Sequence, residues 1–210
     1  MWSGAVVRLK QTSVMVPPSW RSRGFSMVEV LVAIVILSFG LLGVVGLQAA
    51  AIKNTRDARQ QSVAVVLARE LADMMRANPQ VAARATNNPY HGNFSDNGSG
   101  MQPATVSNCL DVGSRCASAN DIANAQMTEW LARVSNLLPG ARVSICRDTA
   151  PYDANGLPQW ACTSSATASQ NIAFIKIGWL RENTKGQIVN TSDAGTRPYI
   201  LLPVTPSGQL

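Results

Sequence analysis

Residues 21–47 read RSRGFSMVEVLVAIVILSFGLLGVVGL, and the fold of the 210-residue chain turns on how this stretch is taken. From Phe25 to Leu47 a single charge, Glu29, interrupts an otherwise apolar run. As a helix rising about 1.5 Å per residue the run spans roughly 35 Å, enough to cross a bilayer. The residues before it carry Arg8, Lys10, Arg21 and Arg23 and no acid. That basic flank orients the N-terminus to the cytoplasm and exports everything after Leu47. The same division explains the net charge. The chain is +6 with a pI near 9.5, but removing 4 of its 18 basic residues with the leader leaves 14 against 12 acids, or +2, from Phe25 onward. The arginines beyond the leader are scattered, so no nucleic acid partner is expected of the exported part.

Three readings of the stretch compete. A plain signal-anchor leaves Glu29 as an interfacial carboxylate. A cleavable secretory signal finds a small-residue cut site at Ala49-Ala50-Ala51. Its apolar region, however, is usually about 7–15 residues long and uncharged, whereas this one is longer and begins with an acid. The third reading takes Arg23-Gly24-Phe25-Ser26-Met27-Val28-Glu29 whole. This order resembles the signal of type IV prepilins and type II secretion pseudopilins: a basic leader ending in Gly, then Phe, a small hydroxyl residue, two apolar residues, Glu and an apolar helix. The resemblance implies that a membrane aspartic prepilin peptidase cuts between Gly24 and Phe25 on the cytoplasmic side, discards residues 1–24 and methylates the new amino group of Phe25. The helix is then retained. The leader is longer than in the simplest members, and Met15 also begins a short basic leader; neither start moves the cut.

Each residue type suits that chemistry. Gly24, without a side chain, lets a protease approach the backbone closely. Glu29 sits at the positive end of the helix dipole. Cleavage creates an ammonium on Phe25, and a cation inside an apolar filament core is costly unless paired. The resemblance implies that Glu29 pairs with the N-terminal ammonium of a neighbouring subunit.

Beyond the membrane run the chain continues without Pro or Gly, and Val63, Val66, Leu67, Leu71, Met74 and Met75 recur at helical spacing. One helix is therefore expected over roughly Ser26 to Ala77, ending at Asn78-Pro79 and packed on a globular head in its second half. Gly40, Gly43 and Gly46 either let neighbouring helices approach or mark a place where the helix unwinds. Thr86 to Ser118 reads as a long Asn/Gly-rich loop. A second helix begins at Asn120-Asp121, carries Ile122, Ala125, Met127, Trp130, Leu131, Val134, Leu137 and Leu138, and stops at Pro139-Gly140. Strands follow at Ala141–Arg147, Ile172–Arg181 and Pro198–Val204, with Asn183-Thr184-Lys185-Gly186 turning the chain back as Gln187-Ile188-Val189. The fold class is α+β, pilin-like: a long N-terminal helix, transmembrane in its first half, packed on a small antiparallel sheet. The divisions are a leader at 1–24, a helix at 25–78 and a head at 79–210.

Cys109, Cys116, Cys146 and Cys162 all fall in the exported part, where an oxidising compartment makes two disulfides the default. No C-x-x-C pair occurs, which argues against zinc. Three pairings exist; Cys109–Cys116 with Cys146–Cys162 is favoured because each closes a short segment, but the sequence does not decide it.

The handle from Gly40 to Pro79, the block WLARVSNLLPGARVSIC at 130–146 and the strand IKIGWLREN at 175–183 narrow the resemblance to the PilV-type minor pilins, also called type IV pilus modification proteins. This implies a role in initiating or assembling the type IV pilus. Its partners would be the prepilin peptidase, the major pilin and other minor pilins. The chain would sit in the inner membrane with a periplasmic head, then in the pilus filament or tip. A type II secretion minor pseudopilin shares signal and handle and is the runner-up, and a pilus-associated adhesin acting through the long loop is a further alternative. An enzyme is not expected, because the single histidine, His91, lies in that loop and no G-x-S-x-G or P-loop pattern appears. No cofactor, metal or small-molecule substrate is expected.

Overall fold

The computed structural model describes residues 24–164, 172–183, 186–191, 193 and 195–205. The leader before Gly24, and Thr184 and Lys185 of the expected turn, lie outside the described residues. By their contacts the residues divide into two compact units, Met1–Ala50 and Ala51–Leu210.

Helix α1 runs from Met27 to Ala77, within a residue or two of expectation. In its first unit the large apolar side chains from Phe25 to Leu47 are 48–87% exposed. It is the one described helix long and apolar enough to cross a membrane. In the second unit α1 buries Ala64, Leu67, Ala68, Leu71, Ala72 and Met75, and the compact head therefore begins inside the helix. The expected stripe is corrected here. Val66 is exposed and Val63 and Met74 are only partly buried, while three alanines take the innermost places. Positions 64, 67, 68, 71, 72 and 75 follow the 3–4 spacing of one helical face, and Val66 lies about 200° from Ala64.

Pro79 opens a one-turn helix, α2 (Pro79–Ala82), where its missing N–H is no loss. Helix α3 (Ala119–Leu137) starts at Ser118, whose hydroxyl accepts from the Asp121 N–H. It buries Ala123, Met127, Trp130, Leu131 and Val134, whereas Ile122 and Leu137, expected inside, are exposed. Gly140 ends the connection at φ +55°, and a Cβ there would meet Leu180 Cγ at 2.5 Å, so the turn requires glycine.

The sheet has the order β1-β2-β3-β6 and is antiparallel throughout: β1 (Gly92–Ser95), β2 (Arg142–Arg147), β3 (Ala173–Gly178) and β6 (Ile200–Val204). The expected single strand to Arg181 breaks after Gly178; Arg181–Glu182 (β4) and Ile188–Val189 (β5) pair as a separate hairpin. The loop expected over 86–118 is also corrected. It contains β1, at the sheet edge, and the buried side chains of Tyr90 and Met101. GNFS has little intrinsic strand preference, and pairing with β2 supplies the order.

Val143, Ile145, Ile175 and Ile177 face the helices, joining Leu67, Leu71, Trp130 and Trp179 in one core. The indoles fix the packing through polar tips: Trp130 Nε1 donates to the Leu67 carbonyl at 2.9 Å, and Trp179 Nε1 to Gln60 Oε1 at 3.1 Å.

Candidate functional site

Gly24, Phe25 and Ser26 precede the first helical turn. A Cβ added to Gly24 would meet no atom within 4 Å, and Phe25 is 81% exposed. Among the described residues, none covers Gly24 or the side chain of Phe25. The Ser26 carbonyl accepts from the N–H groups of Glu29 (3.0 Å) and Val30 (3.2 Å). Ser26 thus stands at the helix cap and Glu29 at the third helical position, the Ser-x-x-Glu order of a capping box. Phe25, Glu29, Ala33 and Leu37 line one side of the helix, as their four-residue steps require. Glu29 is the charged group on this apolar face, and among the described residues it makes no ion pair. An unpaired carboxylate beside Phe25 can take a cation from another molecule.

In the head, Cys109 is bonded to Cys116 and Cys146 to Cys162. The second disulfide closes a segment that covers the far face of the sheet. There Ser144 pairs with Lys176 across β2 and β3, and both are buried, so β2 departs from the simple alternation of Val143 and Ile145. Lys176 is fully buried. Its Nζ donates to Asp148 Oδ2 (2.5 Å), the Gln159 carbonyl (2.9 Å) and the Ala161 carbonyl (2.6 Å). Asp148 Oδ1 in turn accepts from the N–H groups of Ala150 (2.9 Å) and Thr163 (3.1 Å). All three ammonium protons have acceptors, which a buried charge needs. Trp160 caps the same surface, with the Arg142 guanidinium 4.5 Å from its ring centroid. Sequence reasoning overlooked this pair, though a lysine within the apolar strand AFIKIG was a signal that a buried partner must exist.

The segment after α2 forms, with α3, a cleft of about 610 Å³ lined by six carboxamides, Asn87, Asn88, Asn93, Gln102, Asn120 and Asn124. Asn88 is a structural member. Its Nδ2 donates to the carbonyls of Ala82 (3.0 Å) and Arg84 (3.1 Å), and its Oδ1 accepts from the Tyr90 N–H (3.0 Å). Asn87 adopts φ +52°, a left-handed backbone that Asn tolerates better than most residues. His91 lies 3.3 Å from Asn88 Nδ2. Burial, reinforced by the positive charge of Arg147, pushes its imidazole down to about 4, so the ring is neutral at pH 7. The Asn-rich composition of residues 87–97 was visible in the sequence, but not that α3 closes the other wall.

Residues 21–45 match the family described as Prokaryotic N-terminal methylation motif. The matched stretch contains Gly24, Phe25 and Glu29 and supports a type IV prepilin-like chain. No curated protein and no solved structure matches the chain.

Proposed function

We propose that the chain is a minor type IV pilin of the PilV type, acting in initiation and assembly of the type IV pilus. The observation that carries this reading is the methylation-motif match over residues 21–45. It gains support from the exposed Phe25 beside Gly24 and from Glu29 on the first turn of a membrane-length helix. Prepilin peptidase cuts after Gly24 and methylates Phe25. The helix holds the protein in the inner membrane until assembly, with the disulfide-containing head in the periplasm. In the filament Glu29 neutralises the ammonium of a neighbouring pilin's first residue, so processing and assembly are coupled through one charge pair. The resemblance of the head sequences at 130–146 and 175–183 to PilV-type minor pilins supports that type.

The test is the mass of the N-terminal peptide of protein purified from membranes and from sheared filaments. Methylated Phe25 in both fractions is the expected result. A start at Ile52 means a secretory signal, an intact leader means a plain anchor, and absence from sheared filaments rules out an assembly role within the fibre.

A further inference from the structure

We propose that the carboxamide cleft of the head binds a neutral, hydroxyl-rich ligand, a segment of oligosaccharide. Four of the six lining carboxamides, Asn87, Asn93, Gln102 and Asn124, have no side-chain hydrogen-bond partner among the described residues. Each offers two N–H donors and a carbonyl acceptor. Adjacent sugar hydroxyls, which both donate and accept, match that set; a carboxylate or phosphate would use only the donors, an ammonium only the acceptors. Among the described residues no Asp, Glu, Lys or Arg lines the cleft, and its one titratable group, His91, is neutral at pH 7. The cleft therefore carries no formal charge on its own lining, while the guanidiniums of Arg84 and Arg147 act on Asn120 and His91 from behind it.

Its walls are built rather than incidental. Asn88 is held by three hydrogen bonds to backbone groups, and Asn120 accepts from Arg84 Nη1 at 2.7 Å. On β1 Phe94 lies over Gly92, where a Cβ would come within 2.5 Å of its ring. Phe94 also lines the cleft, partly buried and packed against the core. The volume falls in the roughly 300–1,000 Å³ range of small-ligand sites. A peptide ligand would ask for apolar side-chain pockets beside a strand edge, whereas six of the thirteen residues lining this cleft are carboxamides.

The test uses the full chain in a detergent without a sugar headgroup. Cellotetraose, maltotetraose and chitotetraose are titrated by calorimetry and ¹H–¹⁵N NMR, beside glucose, a sulfated heparin tetrasaccharide and tetra-alanine. Saturable binding of at least one neutral tetrasaccharide is expected, weaker for glucose, with shifts at Asn93, Gln102 and Asn124. Asn93→Ala with Gln102→Ala removes two exposed, unbonded side chains and so leaves folding intact; it should weaken binding about tenfold or more. Asn155→Ala, outside the cleft, should leave binding unchanged. The proposal is overturned by no saturable binding of any neutral tetrasaccharide, by equal or tighter binding of the sulfated sugar or the peptide, or by a double variant that binds like the parent.

Discussion

Charges placed where water is scarce carry the sharpest expectations at the scale of single residues. If Glu29 serves the charge pairing proposed for it, Glu29→Ala is still cut and methylated at Phe25, because the scissile bond lies before the helix, yet enters sheared filaments several-fold less than the parent. Normal incorporation on immunoblots of the sheared fraction would remove the pairing argument. In the head, Lys176→Met strands Asp148 and two backbone carbonyls that Lys176 now serves. Breaking a buried pair from one side costs about 3–5 kcal/mol. Adding Asp148→Asn keeps an acceptor for the Ala150 and Thr163 N–H groups and removes the stranded charge, so the double variant should recover about half of that loss in urea unfolding. His91 adds a pH term. Its folded pKa, about 4, lies below the unfolded value of 6.5, so the unfolded chain binds the proton first as pH falls. Its contribution is complete above pH 6.5 and is lost between there and pH 4. At about 1.4 kcal/mol per unit this amounts to roughly 2 kcal/mol between pH 7 and pH 5. His91→Gln should flatten that part of the stability profile, and an unchanged slope would show that the ring does not titrate as its burial requires.

At the scale of elements, the two disulfides differ in what they hold. The bond from Cys109 to Cys116 spans seven residues, and that from Cys146 to Cys162 spans sixteen. Loop-closure entropy alone gives about 2.5 and about 3 kcal/mol, a small gap. The longer segment also supplies the Gln159 and Ala161 carbonyls to Lys176 and places Trp160 against Arg142 and Gly178. Replacing Cys146 and Cys162 by Ala should therefore lower stability at least about 1 kcal/mol more than replacing Cys109 and Cys116, with Trp160 emission shifted to the red. Equal losses would mean that the cover of the sheet holds without its bond. How well these elements could be read from the chain followed their physics. Helices α1 and α3 were legible because each carries a repeating apolar face and a chemical stop, Pro79 and Pro139-Gly140. β1 was not, since its order comes from β2 rather than from its own residues. Nor was the break after Gly178, where the indole of Trp160 crosses the strand and Trp179 turns to Gln60. The methylation motif over residues 21–45 was readable because a motif is an order along the chain; the carboxamide cleft and the Lys176–Asp148 pair were not, because their members meet only on folding.

At the scale of the whole molecule, the boundary between the two compact units makes a claim about independence. Every residue of the buried core lies at Ala64 or beyond. The unit that begins at Ala51 holds both disulfides, the four-stranded sheet, α2, α3 and the ion pair between Lys53 and Glu182 at 3.1 Å. The residues from Phe25 to Leu47 contribute apolar surface that is exposed, and thus suited to lipid or to neighbouring helices. A chain starting at Ala51 loses no core side chain, only the cap and membrane portion of α1. Its new first turn, up to about Arg56, is exposed and will fray, while Gln60 keeps its hydrogen bond from Trp179. Expressed in an oxidising compartment, this fragment should be soluble without detergent, form both disulfides and unfold in one cooperative transition. Its Tm should fall within a few degrees of that of the head in the full chain. Starting instead at Asp73 removes Leu67, Ala68, Leu71 and Ala72 and the carbonyl that Trp130 Nε1 donates to, and should abolish the transition. If the Ala51 fragment aggregates or melts without cooperativity while the full chain does not, the first half of α1 stabilises the head, and the division at Ala50 is not a boundary of folding.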